Sequence, residues 1–461
     1  MQKRIDPLIP IMILACLAVR LLRIAYPDLA HDEPFTVLQA HRSIAGLFAI
    51  LPEENNPPLH FLLMHFWVKL VLLDEGWLRI PSAIFSSLTI WPLFVLGRAL
   101  ISRTGAIVLS LLFIFSNYHH GFAQEVRVYS LFVLLAVISV WLLHRISIGK
   151  SWIPLALINV LMVYAHFFGW LMIGVQLLMV ILVKEWRSSI RSYFIAAVIT
   201  LLSYIPYFLI FLKRFNTSVA KGTWLTEPDP EELYNMLWEW SNAPVLVVSF
   251  LLLIIISLSI RGVRSPAIRI ALIWAFVPLF GMFLASYYAP MFLDRYLVYA
   301  SPGWYLLITA ASIQLVPQGR WQLWAPLGIV LLMAFTYKPL SRNWPHPRRV
   351  YQHVQQIASP DAAILIHPWW YSHTFTWQFD RQLFKDPEVL ERALADRNVH
   401  PIGSFDRIEA FGSEHQQVIL ICHGDKENRD LAEWLKANGY SMASEYPDGL
   451  TQVRILQKEV R

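Results

Sequence analysis

The sequence predicts an all-α polytopic membrane protein with a small α/β domain at its C-terminus, and three observations support this prediction. The chain of 461 residues is 56% hydrophobic and only 15% charged, whereas soluble proteins carry about a quarter charged residues. Its charges cluster between long apolar runs, which is typical of helices that cross a bilayer. After about residue 340, the charge density rises and the apolar runs shorten to the length of strands.

About eleven apolar segments are each close to the roughly 20 residues that cross about 30 Å of hydrocarbon. Basic segments (QKR, GRALISR, HRISIGK, KEWRSSIR, RGVRSPAIR and QGR) fall on alternate connections, and the positive-inside rule assigns that side to the cytoplasm. The net charge of +6 therefore reflects orientation and does not indicate a nucleic-acid partner. The expected spans are 7–26, 81–100, 104–117, 128–144, 152–166, 167–184, 192–212, 244–260, 268–287, 296–316 and 321–337.

The apolar segment 57–73 is expected to lie at the outer membrane surface and not to cross it. If it crossed, GRALISR and every later basic loop would move to the outer side. Residues 27–80 then form one long extracytoplasmic loop. The N-terminal run lacks a small-residue cleavage site and is interpreted as an uncleaved first helix.

The last part of the chain, 341–461, is expected to be an extracytoplasmic α/β domain after a transmembrane domain that spans 1–340. Strands are predicted at 362–368 and 417–424, and helices at 386–396 and 427–439, the second one closed by a glycine. The aromatic segment HPWWYSHTFTW either packs in the core of this domain or forms a platform on which sugar rings stack. Cys16 and Cys422 suggest neither a disulfide nor a metal site.

Two adjacent carboxylates, Asp32 and Glu33, stand just past the first apolar run in the segment AHDEPFT. Followed by Pro34, they suit the first turn of a helix, where the positive end of the helix dipole stabilises carboxylates. The alternative is a catalytic base at the membrane surface. Adjacent side chains point in different directions, so the pair need not act as one unit.

Two further outer segments carry an arginine beside acidic or aromatic residues. AQEVRVYS contains Glu125 and Arg127, and APMFLDRYLVYASP contains Asp294, Arg295 and Tyr296. An arginine at a membrane face is usually an interfacial anchor, and the second segment suits an ion pair or an aromatic belt. Beside a carboxylate pair, such an arginine can instead hold a phosphate through bidentate hydrogen bonds.

Taken in order, five segments resemble the GT-C superfamily of integral-membrane glycosyltransferases. The nearest branch is the bacterial one akin to protein O-mannosyltransferases and to the aminoarabinose transferases that modify lipid A. The resemblance covers about residues 1–310, and the C-terminal domain carries none of its motifs. The five segments are HDEPFT, NNPPLHFLLMHFWVKL, LRIPSAIFSSLTIWPLFVLGRAL, AQEVRVYSLFVLLAV and DRYLVYASP.

The resemblance implies a glycosyltransferase that moves a hexose or pentose from a polyprenyl-phosphate donor to an acceptor hydroxyl, with inversion at the anomeric carbon. The acceptor would be a glycan, a lipid or a protein on the extracytoplasmic face of a bacterial inner membrane. Asp32 corresponds to the base of this family, with Glu33 as a supporting contact.

The resemblance also assigns the residues that would bind the donor. Arg127 and Arg295, with Tyr296, correspond to the positions that bind the donor phosphate, and Glu125 corresponds loosely to the acidic residue of the second loop. No position of the family's pattern corresponds to His119 or to its neighbour in the pair HH.

The residues themselves agree with this chemistry. Sugar transfer from a lipid phosphate needs a base for the acceptor proton, cations for the leaving phosphate and a cavity at membrane level. No cofactor is expected with certainty: the leaving group is already anionic, which leaves a divalent metal open and not obligatory. The pair His119–His120 either lies at the interface, assists the phosphate or binds a metal. No glycine-rich nucleotide loop is present.

Two other classes of protein fit the same sequence. A transporter or flippase of a lipid-linked saccharide would carry charges along a path through the membrane and broken helices near its midplane. An accessory membrane subunit would retain only a degenerate site. The informative charges lie at the outer ends of the expected spans, which favours chemistry at the membrane surface.

Overall fold

The computed structural model describes residues 6–54, 56–221, 225–316, 321–339 and 345–458. The chain divides into two compact units. The first unit comprises Met1–Leu22, Phe48–His60 and Arg79–Ser341, and the second comprises Arg23–Leu47, Phe61–Leu78 and Arg342–Arg461. The expected domain boundary at residues 340 and 341 lies outside the described residues.

Helices dominate the chain, and the strands are confined to its C-terminal part. The helices are α1 (Leu8–Leu21), α2 (Asp32–His41), α3 (Ile44–Ile50), α4 (Pro58–Trp67), α5 (Glu75–Leu88), α6 (Ile90–Leu100), α7 (Arg103–Ile114), α8 (Asn117–Ala123), α9 (Tyr129–Ser147), α10 (Ile153–Ala165), α11 (Gly169–Leu182), α12 (Ile190–Lys221), α13 (Glu231–Ser241), α14 (Pro244–Arg261), α15 (Pro266–Ala285), α16 (Ser301–Leu315), α17 (Trp321–Phe335), α18 (Pro347–Ile357), α19 (Tyr371–Asp380), α20 (Leu390–Ala395), α21 (Arg407–Glu414) and α22 (Asp425–Asn438). The strands are β1 (Ala363–His367), β2 (Val399–Pro401), β3 (Val418–His423), β4 (Tyr440–Asp448) and β5 (Thr451–Lys458).

In the described part of the chain, five helices are long and apolar enough to cross a membrane. A sixth is added if α7 and α8, which are bent by 60° at their junction, count as one span. The eleven expected spans are therefore not confirmed, since several of the corresponding helices are only 10–17 residues long. The five are Glu75–Leu100, Tyr129–Ser147, Lys184–Lys213, Pro244–Arg261 and Pro266–Ala285.

The C-terminal sheet has the strand order β2-β1-β3-β5-β4. Strand β1 runs parallel to β2 and β3, whereas β5 is antiparallel to β3 and β4. Strand β3 is buried along its whole length, and Leu420 and Cys422 contribute to a core with Leu431 of α22. Helix α22 ends as expected, because Gly439 adopts the left-handed conformation, with a φ of 70°, that suits a C-cap.

The sequence prediction missed the hairpin of β4 and β5. Most of β4 is exposed or only half-buried, so it lacks the continuous apolar run by which β1 and β3 were found. Gly449, with a φ of 59°, makes the turn between the two strands. The predicted helix at 386–396 is also shorter in the structure, where α20 covers Leu390–Ala395.

Within the second unit, buried carboxylates join the first outer loop to the C-terminal part. Asp28 and Glu75 are 7% and 4% exposed, and Arg348 lies 3.0 Å from the former and 3.7 Å from the latter. The indole of Trp377 donates a hydrogen bond of 3.0 Å to Glu75, and Arg381 donates one to the carbonyl of Leu73. Buried carboxylates must be paired in this way, so these contacts fix the chain around α2.

Candidate active site

Helix α2 begins at the predicted carboxylate pair, and both carboxylates lie in its first turn. Glu33 is buried, and its carboxylate accepts a hydrogen bond of 3.4 Å from the backbone N–H of Ala30. This contact satisfies a backbone donor at the start of the helix. Asp32 is only half-buried, and its carbonyl accepts a bond from the hydroxyl of Thr36. Of the pair, Asp32 is therefore the one with more access to a substrate.

The start of α2 is held by residues of the C-terminal part. His31, which precedes the helix, adopts a φ of 54°, a conformation that costs energy for a residue with a side chain. His31 is close enough to His423 to act on it electrostatically. One turn further along α2, the ring of Phe35 lies 5.7 Å from that of His373. The contact between Phe35 and His373 packs α2 against α19.

The aromatic segment HPWWYSHTFTW divides into a buried and an exposed part. Tyr371, Phe375 and Trp377 of α19 are at most 3% exposed, as core packing requires. Trp369 and Trp370, which precede the helix, are 54% and 41% exposed. The exposed pair is held edge-on against His373 and His423, the histidines that lie near α2.

The second outer loop was predicted at 117–130, and its part between α8 and α9, residues 124–128, is held in place by hydroxyl and amide groups from both sides. Ser82 of α5 donates hydrogen bonds to the carbonyls of Glu125, at 2.6 Å, and of Arg127, at 3.4 Å. Gln124 donates to the carbonyls at the end of α1, and Ser130 donates to that of Phe122. The loop therefore presents Arg127, which is 8% exposed, from a fixed backbone.

The DRY segment forms a single 3₁₀ turn, Asp294–Leu297, ahead of α16. Asp294 accepts a hydrogen bond of 2.6 Å from the N–H of Arg295, and its carbonyl accepts one from the hydroxyl of Tyr118 in α8. The guanidinium of Arg295 lies 5.9 Å from the ring centre of Tyr296. The backbone of this turn is thus held by a side chain of α8.

The two predicted phosphate-binding arginines come together at His166, between α10 and α11. Burial, followed by the charges of Arg127 and then Arg295, lowers the pKa of His166 to about 3. A second histidine, His60 at the start of α4, is also buried beside Arg127, and burial and this charge lower its pKa to about 3. Both imidazoles are therefore neutral at physiological pH.

Aromatic rings surround this cationic cluster, which we define as Arg127, Arg295, His166 and Tyr296. The ring of His166 stacks on Phe132 at 4.8 Å and on Phe168 at 5.4 Å, and it lies edge-on to Tyr296 at 6.0 Å. Such rings exclude water, which strengthens the attraction between the arginines and an anion. The cluster is therefore suited to hold an anion such as a phosphate.

The structure thus brings together three of the predicted site residues, Arg127, Arg295 and Tyr296, in the first unit. Asp32 and Glu33 belong to the second unit. The sequence prediction missed His166. The only signal was a polar residue at the end of an apolar run, in YAHFFG, a pattern that is more often a core histidine than a ligand.

The histidine pair of α8 is occupied by protein contacts. His119 shares a hydrogen bond of 2.9 Å with the hydroxyl of Ser301, and His120 shares one of 2.7 Å with Tyr337. The two rings therefore make hydrogen bonds to different residues, Ser301 and Tyr337. In the described part of the chain, no group of three or more His, Cys, Asp or Glu side chains could hold a metal ion.

Comparisons with known proteins give matches in structure and none in sequence. No protein-family model matches the chain, and no curated protein matches it. The structure is similar to that of ArnT from Cupriavidus metallidurans in the apo state, with a TM-score of 0.60 and 12% identity over 97% of each chain. ArnT bound to undecaprenyl phosphate matches with the same TM-score, at 11% identity, over 97% of this chain and 98% of that one.

A second similar structure is that of the archaeal oligosaccharyltransferase AglB from Archaeoglobus fulgidus, solved with an inhibitory peptide and a dolichol-phosphate. Its TM-score is 0.55 at 10% identity, over 97% of this chain and 74% of that one. The oligosaccharyltransferase from this organism was also solved with Zn and sulfate, but the described residues of the present chain offer no comparable metal cluster. The chain therefore shares the fold of ArnT and AglB, which is the fold that its ordered motifs predicted.

Proposed function

We propose that this protein is a membrane glycosyltransferase that moves a sugar from a polyprenyl-phosphate donor to an acceptor hydroxyl on the extracytoplasmic face. The observation that carries the proposal is the convergence of Arg127 and Arg295 on His166, within a fold shared with ArnT, which has been solved with undecaprenyl phosphate. Arg127 is buried and Arg295 is half-buried, and guanidiniums among aromatic side chains suit the binding of a phosphate.

The proposed reaction needs one base and one anion site. The carboxylate of Asp32 takes the proton of the acceptor hydroxyl, and the acceptor oxygen attacks the anomeric carbon of the donor sugar. The bond between this carbon and the phosphate oxygen breaks, and the phosphate leaves with the electron pair. Attack from the face opposite the leaving group inverts the anomeric carbon. Arg127 and Arg295 stabilise the charge that develops on the phosphate.

Glu33 and Glu125 have supporting parts in this proposal. Glu33 caps the first turn of α2 and so keeps the carboxylate of Asp32 in place. Glu125 stands two residues before Arg127 in the loop that Ser82 fixes. Tyr296 packs its ring against Phe168 at 5.0 Å, beside the arginine that precedes it in the chain. No step of the reaction is assigned to a metal ion.

The acceptor is proposed to carry a carbohydrate. Trp369 and Trp370 are large aromatic side chains, about half exposed, and each is held edge-on by a histidine. Aromatic faces fixed in this way suit the apolar faces of sugar rings. Phe35 links the histidine beside Trp369 to the helix that begins at Asp32, so the pair belongs to the same unit as the proposed base.

One observation favours a transporter or flippase as the second candidate. Helices α7 and α8 are bent by 60°, and broken helices are common in transporters. The polar groups at this bend are bonded to the protein, however: Ser116 bonds Tyr305, and the amide of Asn117 bonds the carbonyl of Thr336. The break therefore has a structural explanation.

The experiment that separates the two functions uses the full chain in sealed vesicles with a radiolabelled undecaprenyl-phosphate sugar. A transferase converts the donor to undecaprenyl phosphate and labels an acceptor saccharide. A flippase moves the intact donor across the bilayer and leaves the sugar–phosphate bond unbroken. Transbilayer movement without any bond cleavage, over a panel of sugars and acceptors, would refute the proposed function.

A further inference from the structure

The ring of His166 is fixed by the short connection between α10 and α11. The backbone N–H of Phe168 donates a hydrogen bond of 3.2 Å to its Nδ1. Gly169 begins α11 directly against α10, where an added Cβ would lie 2.8 Å from the carbonyl oxygen of Met162. A larger residue at this position would push the two helices apart. The ring therefore has one orientation, with Nδ1 turned to its own backbone.

This orientation determines where the proton of the imidazole lies. Because Nδ1 accepts a hydrogen bond, a neutral His166 carries its proton on Nε2. A protonated imidazole could not accept this bond, so the neutral form is the one present. In the described part of the chain, Nδ1 makes the only hydrogen bond of the ring. The Nε2–H is therefore a donor that is available to a ligand.

We propose that His166 is a phosphate-binding residue, whose Nε2–H donates a hydrogen bond to an oxygen of the polyprenyl phosphate held by Arg127 and Arg295. This inference rests on the proposed function and adds a residue to its donor site. It gives the segment YAHFFG a role that neither its sequence nor the ordered motifs suggested.

The chemistry of the site explains why a neutral donor stands here. A polyprenyl-phosphate sugar carries one negative charge, and two guanidiniums already exceed it. A cationic imidazole would bring a third positive charge close to the two guanidiniums, and like charges repel one another. A neutral N–H instead adds a directional bond at a small electrostatic cost. Hydrogen bonds to charged groups contribute about 1.5–3 kcal/mol each.

Three substitutions separate the donor from the structural role of the ring. His166→Asn places an amide oxygen near the position of Nδ1, so it can still accept from Phe168, but it has no group at the position of Nε2. His166→Gln extends its amide N–H to about the position of Nε2. His166→Phe keeps the stacking on Phe132 and Phe168 without any donor. His144→Asn, at the far end of α9, is the matched control.

The measurement is the affinity of the purified full-length protein for undecaprenyl phosphate, with neutral undecaprenol as the comparison ligand. We expect His166→Asn and His166→Phe to weaken phosphate binding by about 10- to 100-fold, the loss of one charge-assisted bond. Their affinity for undecaprenol should stay within about twofold of the wild type. His166→Gln should recover most of the lost affinity, and His144→Asn should bind as the wild type does.

Two results would overturn the inference. One is phosphate binding by His166→Asn and His166→Phe that equals the wild type. The other is a loss of phosphate affinity that is as large in His166→Gln as in His166→Asn, or a loss of affinity for undecaprenol as large as that for undecaprenyl phosphate. Either would assign a purely structural role to the ring. Arg295→Ala distinguishes these failures from a failure of the proposed function. If it loses phosphate affinity while the His166 variants do not, the donor site stands without His166; if it also binds normally, the proposed phosphate site is wrong.

Discussion

The cationic cluster and the start of α2 carry opposite charges and differ in how exposed those charges are. The cluster gathers two arginines from separate segments, 124–128 and Asp294–Leu297, and wraps them in aromatic rings. The start of α2 instead places two carboxylates at the positive end of a helix and leaves Asp32 half-exposed. The first arrangement suits tight binding of an anion, and the second suits a base that exchanges protons with a substrate.

The comparison also shows how the two kinds of site are built. The residues of the cluster lie far apart in sequence and meet only in the folded first unit. The start of α2 depends on local capping by Glu33 and on partners such as His373 and His423 from the end of the chain. The proposed binding and proton-transfer functions thus belong to different units, and they can be impaired separately.

The largest expected effect is that of Asp32→Asn, which should lower the rate of sugar transfer without weakening phosphate binding. Asp32→Asn removes the proton acceptor and keeps the shape of the side chain, so we expect the rate of sugar transfer to fall by about 10²- to 10⁴-fold. Affinity for undecaprenyl phosphate should stay within about twofold, because the cluster is intact. A pre-steady-state transfer assay, together with a binding titration, measures both. Asp396→Asn, at an exposed carboxylate of the same unit, is the control, and a transfer rate of Asp32→Asn close to the wild type would exclude Asp32 as the base.

Substitutions in the cluster should have the converse effect on binding. Arg127→Ala or Arg295→Ala removes a charge-assisted contact, and we expect phosphate affinity to fall by about 10- to 100-fold for each. Arginine to lysine should restore little of it, because an ammonium cannot make the planar bidentate contact. Titration with undecaprenyl phosphate at two salt concentrations measures the loss. Arg269, which pairs with Glu185, offers a control at another site, and a lysine variant that binds as tightly as arginine would contradict the bidentate geometry.

Substitution of the exposed tryptophans, Trp369 and Trp370, tests whether the second unit binds the acceptor. We expect Trp369→Ala with Trp370→Ala to raise the KM for a saccharide acceptor by about 5- to 50-fold, since stacking on an aromatic ring contributes on the order of 1 kcal/mol per ring. Affinity for undecaprenyl phosphate should not change. Steady-state kinetics with the acceptor varied provides the measurement. Val389→Ala is the control, since Val389 is 46% exposed in the same unit. An unchanged acceptor KM in the double tryptophan variant would contradict the proposed stacking of sugar rings on Trp369 and Trp370.

The last expected effect is a pH dependence of the stability of the second unit. Burial lowers the pKa of both His373 and His423 to about 4, below the usual value near 6.5. Folding therefore excludes a proton that the unfolded chain binds. The stabilisation is complete above pH 6.5 and is lost as the pH falls to about 4, by at most on the order of 3 kcal/mol for each histidine.

Melting temperatures between pH 4 and 8 test this expectation. Phenylalanine at either position keeps the stacking, including the 4.4 Å contact of His423 with Tyr371, and removes the titrating group. His423→Phe and His373→Phe should each flatten the profile between pH 6.5 and 4. A profile as steep as that of the wild type in both variants would show that other groups control the titration.

Local patterns in the sequence predicted much of the fold and part of the site. The long apolar runs predicted the helices, and β1 and β3 were found because buried strands are continuously apolar. Arg127 and Arg295 were predicted as site residues because their segments occur in a familiar order, and their roles stay a prediction. His166 was not, since its role depends on which of its nitrogens faces the backbone and on charges more than 30 residues away. No local pattern carries that information.

The second unit has a consequence for how the protein is made. Segments 23–47 and 61–78 leave the ribosome early, but their partners, including Arg348 and Trp377, are synthesised nearly 300 residues later. Until these residues are synthesised, the carboxylates of Asp28 and Glu75 lack their ion pairs with Arg348, and Glu75 lacks its hydrogen bond from Trp377. A chain that stops near residue 340 would keep both arginines of the cluster and would leave the helix of Asp32 without its support. The helix of Asp32 is therefore expected to reach its final packing only after α18 and α19 have been synthesised.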